Sequence, residues 1–534
     1  MQNPATVLGI IESKASDATY LFDRLYRNFY NIEFYKKAHA KLSRKTKQIK
    51  AETDGQTIND FNPDDIQKLI KAMKNESYQP MPVHRQAVKT SKVQQLEAAV
   101  TGDQLVQTIL VSILGTLYEP NFSDHSHGYR TDRSYHTALL DVKKNSLGVT
   151  WWIKGDIEIF NENINRQILV GILKQRIRDE KFLRLIWKFL KAGYLSDDAL
   201  SKTHPKQSQE QTLGHILANV YLNECDCFMK QTVTAFHASM SKGSGPNDNG
   251  RRTDDFDQKK GVHQSLSKKE RQLLNTESNV LMTQKERLVA WDRLDPGYKR
   301  VNYVRYKERF LIGVIGSKED AVRIKRSLLT FLSDQLNLGL DEAGPIVAHH
   351  KKPITFLDYD IIVSPSNESI SKIDHTETSE PTNARRHSGE IKLSIPYQHL
   401  KAFMVNNGYV NIQNDGTWKE IHRSKLVNHE PLEIIRKSNA EFRDFYHYYK
   451  LAYNVREKLI SIHWLFQKSV TKTLAAKYKT KVSKLRYMET EINGEKHKKF
   501  YQHGKWGIMY QNKQGEASFL PLLEQSEIQV VKHL

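Results

Sequence analysis

Two carboxylates stand where a chain could do metal chemistry. Asp156 follows a run of β-branched and aromatic residues, Val149 to Ile153, and the stretch reads as a strand carrying the acid near its end. Glu308 lies in Lys307-Glu308-Arg309, between two further strand-like runs, 303–306 and 310–315, that read as a hairpin. Carboxylate oxygens are the ligands that hard dications such as Mg2+ demand, and a pair of such ions can activate an attacking hydroxyl and neutralise a leaving phosphate. Glu308, however, has a cation on either side. At close range a unit charge pair is worth about 4 kcal/mol at intermediate dielectric, so Lys307 and Arg309 would repel a metal. The plainer reading makes Asp156 and Glu308 polar residues at strand ends, paired with Lys307 or Arg309.

Other metal-ligating types offer less. The chain has 2 cysteines, Cys225 and Cys227, which excludes a disulfide scaffold and a four-cysteine zinc site and suits a reducing compartment. His125, His127, His349 and His350 lack a helical i, i+4 partner with a carboxylate and read as incidental. No metal site is expected.

Positive charge is the stronger signal. Across 534 residues, 81 Lys plus Arg oppose 61 Asp plus Glu, a formal charge of +20 that calls for a polyanionic partner. Nucleic acid leads, because no apolar run is long enough to span a membrane. One cationic cluster is Lys36, Lys37, Lys41, Arg44, Lys45, Lys47 and Lys50. The densest is Lys468, Lys472, Lys477, Lys479, Lys481, Lys484 and Arg486, with no carboxylate between them in sequence. Such a run is either a solvated helix face or a surface for phosphates. Just before it, a helix from about Glu441 sets Phe442, Phe445, Tyr446, Tyr449 and Tyr453 at near-helical intervals, chiefly as core, with Arg443 elsewhere on its circumference.

These residues need elements to position them. Apolar spacing predicts a helical beginning over 20–40, a helix over 64–74 stopped by Pro80, one helix over 167–191 and another over 319–335. Strands alternate with them, so the fold class is α+β with a small antiparallel sheet. Two stretches, 239–271 and 364–390, lack apolar periodicity and are expected to be a flexible insertion and a flexible linker.

In order along the chain, Phe122-Ser123-Asp124, Gly128-Tyr129-Arg130 and Arg133-Ser134, then Gly155-Asp156-Ile157, 179–183, 217–222 and 303–313, together resemble the group II intron reverse transcriptase and maturase family over nearly the whole chain, the first three most specifically. Phe356-Leu357 with Tyr359 resembles the family's primer-contacting hairpin, and Phe442-Arg443 through Lys477 and Lys479 its helical maturase region. The resemblance implies an amino-terminal extension over 1–85, right-hand fingers and palm over 86–363, and a mostly helical thumb and maturase domain X over 391–534. It also implies that both basic clusters and Arg443 contact intron RNA.

Where that family places paired aspartates, this chain has Glu308 and Arg309; Asp156 remains. The phosphate-binding arginine motif aligns with 94–99, the template-contacting glycine turn with 208–211, and the aromatic gate with Asn161. Polymerase activity is therefore not expected, and Mg2+ would be a cofactor only if the degenerate palm still worked. The expected function is assistance to group II intron splicing by stabilising the active RNA fold. A working polymerase that supports intron mobility and a general organellar RNA chaperone remain as alternatives. The carboxyl end lacks a paired-cysteine HNH module, so cleavage of target DNA is not expected, and a homodimer stays open. Without an import leader at Met1 to Ile11, the expected site is an organelle, plastid before mitochondrion, or a bacterial cytoplasm.

Overall fold

Apolar spacing builds two compact units, Met1–His349 with Ser366–Gly389, and His350–Pro365 with Glu390–Leu534. The computed structural model describes residues 2–43, 63–81, 84–87, 95–98, 101–157, 164–193, 212–241, 299–339, 344–364, 389–512 and 514–523. Arg44, Lys45, Lys47, Lys50, Asn161, the 208–211 turn, Gln94, Ala99 and most of the 239–271 and 364–390 stretches lie outside the described residues.

In the first unit a hairpin of β1 (His84–Ala87) and β2 (Gln95–Ala98) precedes the main sheet. That sheet joins β3 (Trp151–Asp156), β4 (Arg300–Tyr306), β5 (Arg309–Ile315) and β6 (Ile346–His349) in the antiparallel order β4-β5-β3-β6. Ile153, Tyr303, Phe310 and Ile312 point from one face into a core shared with the helices Leu213–Ser241 and Lys318–Leu336. Ser317 starts the second of these with a capping box, accepting from the Asp320 backbone while the Asp320 carboxylate accepts in return.

Two expected helices divide. In place of one helix over 167–191 there are two, Arg166–Lys174 and Glu180–Lys191. The chain between them leaves helical geometry to bridge Ile177 to Phe22, and Asp179 then caps the second helix by accepting from the Lys181 and Phe182 amides. The same carboxylate accepts from the Tyr26 amide, so the break ties the amino-terminal segment to the core. Likewise 20–40 is not continuous: a short turn at Tyr26–Tyr30 precedes the helix Ile32–Ser43.

The second unit opens with β7 (Ile354–Phe356) and β8 (Tyr359–Ser364), which join β9 (Glu390–Ser394) in one sheet. Tyr359 donates its hydroxyl to the Tyr448 carbonyl on the helix Pro431–Tyr449. That helix begins earlier than sequence suggests and stops before Tyr453, which is 57% exposed, whereas Phe442, Phe445 and Tyr449 are buried as expected. A hairpin of β10 (Val410–Ile412) and β11 (Trp418–Glu420) lies against the helix Val455–Lys477.

From Glu489 onward the expectation of a mostly helical domain fails. β12 (Glu489–Ile492) and β13 (Glu495–Lys498) form one hairpin, and β14 (Tyr501–Gln502), β15 (Lys505–Gln511) and β16 (Ala517–Pro521) form a three-stranded sheet. Asn493-Gly494 and His503-Gly504 supply the consecutive positive φ angles, 55° and 84°, then 49° and 80°, that two-residue hairpin turns require. The fold mixes helix and antiparallel sheet throughout. Among the described residues no helix is long and apolar enough to cross a membrane.

Candidate nucleic-acid interface and carboxylate site

Backbone register brings the sequence-predicted acids to one sheet end. Asp156 pairs directly with Arg309, and Arg309 in turn with Tyr306 across the β4–β5 turn. Lys307 takes φ 57° in that turn, and the Ile157 amide donates to the Glu308 carbonyl at 3.0 Å. Gly128 makes the arrangement possible: a Cβ there would lie 2.2 Å from the Lys307 nitrogen. Behind the turn, Arg305 is fully buried and grips both oxygens of Asp226 at 2.8 and 2.7 Å. It also donates to Ser126 Oγ and to the Lys307 carbonyl, each at 2.7 Å, while Tyr303 donates to Asp226. Burial alone would lower the Arg305 pKa, but the Asp226 carboxylate outweighs it and holds the guanidinium charged.

The electrostatics at the front oppose a dication. Arg309 Nε lies 3.5 Å from Asp156 Oδ2, with both side chains nearly half exposed. Burial pushes the Glu308 carboxyl up, with the Asp156 charge adding to the effect, and among the described residues its Oε2 has no hydrogen-bond partner. Lys307 Nζ lies 4.2 Å over the Tyr129 ring. One carboxylate thus meets a guanidinium and the other is drawn inward between two cations, so these residues do not fit a pair of magnesium ions. Among the described residues, no group of three or more His, Cys, Asp or Glu could hold a metal.

The basic clusters are less uniform than their sequence. Lys36, Lys37 and Lys41 are exposed on the helix Ile32–Ser43, with Lys36 bonded to Glu33 at 2.8 Å. Lys468 and Lys472, one turn apart on the helix Val455–Lys477, converge on Glu420 of β11 at 3.8 and 3.1 Å. A carboxylate absent from the run in sequence therefore enters it in space. Lys477 Nζ donates to the Val427 carbonyl at 3.4 Å, and the helix ends there. Lys479 is left-handed at φ 47°, so the run is not one solvated helix face. Lys479, Lys481 and Lys484 are exposed with no ion pair among the described residues, and Arg443 is exposed on its own helix.

The family described as type II intron maturase matches residues 388–493, which contain these cations. The group II intron-encoded protein LtrA of Lactococcus lactis subsp. cremoris is 33% identical over 508 residues, 93% of this chain and 80% of that one. This chain belongs to the group II intron-encoded reverse transcriptase and maturase family. It is also similar to the putative COX1/OXI3 intron 1 protein of Saccharomyces cerevisiae, 26% identical over 464 residues covering 84% of this chain and 53% of that one. The nuclear intron maturase 1, mitochondrial, of Arabidopsis thaliana is 23% identical over 328 residues, 51% of this chain and 42% of that one. One relative is bacterial and another is named mitochondrial, so the preference for a plastid gains no support.

As a group II intron-encoded protein, this chain keeps features that sequence patterns did not isolate. The Arg305–Asp226 pair joins residues far apart in sequence, with Asp226 between Cys225, which is buried, and Cys227, which is exposed. His125 and His127 both bond to Asp141 Oδ2, at 2.9 and 3.2 Å, and so fasten their loop to the helix Tyr135–Asn145. Two exposed aromatics beside the basic run also escape the apolar pattern; Tyr487 directly follows Arg486 and Trp464 stands one helical turn before Lys468, which is the signal that marks them in sequence.

Proposed function

We propose that the protein is a group II intron maturase that binds intron RNA and favours its splicing-competent fold, without making or breaking bonds itself. The supporting observation is the exposed set Lys479, Lys481 and Lys484, free of ion pairs among the described residues, inside the segment that matches the maturase family. Folded RNA is read largely through shape, phosphates and 2′-hydroxyls, which suits such a surface. The benefit to splicing is limited by the difference in affinity between active and inactive RNA folds.

In this reading the sheet with Asp156 is the palm of a right-hand scaffold, with its fingers in 86–363 and its thumb and maturase domain in 391–534. The palm serves as a body for RNA contacts, and the protein needs no metal of its own. Lys36, Lys37 and Lys41 form a second RNA contact in the extension over 1–85, together with Arg44, Lys45, Lys47 and Lys50. Lys468 and Lys472 mainly hold β11 to its helix, so Lys484 and Arg486 carry more of the contact. Arg443 adds a further cation. The host compartment is bacterial or organellar.

The test is in vitro splicing of group II intron RNA at near-physiological salt, with and without protein. Wild type is expected to accelerate splicing, and a Lys479→Ala, Lys481→Ala, Lys484→Ala variant to lose most of that effect while keeping its fold by circular dichroism. Equal splicing with and without wild-type protein would overturn the reading.

A further inference from the structure

The basic run ends in rings that nothing in the fold requires to be outside. Leu485 anchors the short helix Val482–Leu485 as a fully buried side chain, and the two residues after it turn outward. Tyr487 is 78% exposed and has no ring partner among the described residues. Arg486 lays its guanidinium 4.7 Å over Tyr501 and 5.6 Å from the Trp506 ring. Those two rings are directly paired across β14 and β15, 5.2 Å apart and edge to face. The turn at His503-Gly504 fixes their register.

Charge around these rings is one-sided where it matters. On the next hairpin, Glu489 lies opposite Lys498 and Glu491 opposite Lys496 in the backbone register, so carboxylates and cations are mixed along that ribbon. Lys479, Lys481 and Lys484 have no such partners among the described residues. The result is a cationic edge ending in an exposed ring and a layered guanidinium, the combination that holds nucleotides by phosphate attraction and base stacking together.

We propose that Tyr487, with Arg486 on its Tyr501 and Trp506 platform, is a stacking site for unpaired RNA bases, and that Lys479, Lys481 and Lys484 guide the adjoining phosphates. This deepens the maturase reading and rests on it: it assigns to this face the single-stranded loops or bulges of the intron. A duplex keeps its bases stacked inside and offers no free ring face, whereas splayed bases in loops do. A broad phosphate surface would not need an exposed tyrosine.

The experiment measures binding of full-length protein to three labelled probes by fluorescence anisotropy over a range of salt: a single-stranded RNA, an RNA duplex, and single-stranded DNA of the same sequence. Tyr487→Ala should weaken single-stranded RNA binding by about tenfold, since a stacked base contributes about that much. The slope of affinity against salt should not change, and duplex binding should hold. Tyr487→Phe should restore binding. Lys479→Ala with Lys481→Ala should instead flatten the single-strand salt slope by about 1.4. Wild-type affinity for single strands in Tyr487→Ala, or an equal loss on duplex, would overturn the stacking site. Equal affinity of wild type for the DNA strand would overturn its assignment to RNA. If wild type accelerates splicing while Tyr487→Ala binds and splices normally, only this inference falls; if wild type does not act on intron RNA, the functional reading falls with it.

Discussion

Arg309 sits opposite Asp156 in the sheet register, so backbone pairing itself delivers a guanidinium to the carboxylate. The acids at this sheet end thus lie among cations, while behind them Arg305 and Asp226 form a fully buried pair. That support is costly to disturb singly. Removing one partner of a fully buried ion pair strands the other, a loss of about 3–5 kcal/mol. Asp226→Ala is therefore expected to lower unfolding free energy in urea by about that amount, and Asp226→Leu combined with Arg305→Met to recover much of it. A loss below 1 kcal/mol would show that water reaches Arg305. The cations on either side of Glu308 were legible from residue types alone. The Arg305–Asp226 pair was not, because a buried cation looks like any surface arginine until its partner is known.

Between elements, a few side chains act as fasteners, and these are what sequence periodicity hides. The 167–191 stretch keeps an apolar face almost throughout, so periodicity alone gives one helix; the break at Asp179 exists because Phe22 and Tyr26, far away in the chain, pair with the segment it opens. Glu420 is similarly remote from Lys468 and Lys472. The turns at Asn493-Gly494 and His503-Gly504, by contrast, carry local signals that mark the terminal strands. A third fastener responds to acid. Burial raises the Asp141 carboxyl, but hydrogen bonds from His125, His127 and Asn145 outweigh it and hold it below the usual carboxylate range. A depressed folded value adds stability that is complete above the unfolded value of about 4 and fades as pH falls through the folded one. Thermal melts between pH 3 and 6 should show wild type losing stability on the acid side and Asp141→Asn losing less. Parallel curves for the two would exclude the contribution.

For the whole molecule, the charge of +20 and membership in a family of intron-encoded proteins point to one class of partner. If about four phosphates are neutralised, affinity for intron RNA should fall on the order of a hundredfold between 50 and 200 mM salt. Flat affinity over that range would remove the electrostatic part of the mechanism. In the same preparations, magnesium-dependent extension of a primer should be absent. The mixture of helix and antiparallel sheet was legible from alternating apolar runs, whereas the strands after Glu489 do not alternate apolar and polar residues and only their turns carry a local signal. The Arg305–Asp226 couple also bears on descent. Changing both members together can be nearly neutral, yet either change alone passes through a poorly folded intermediate. A half-exposed residue such as Arg309 carries no such toll, so a lineage would change first at the rim and stay locked within: tolerance to substitution in this fold runs from the outside inward.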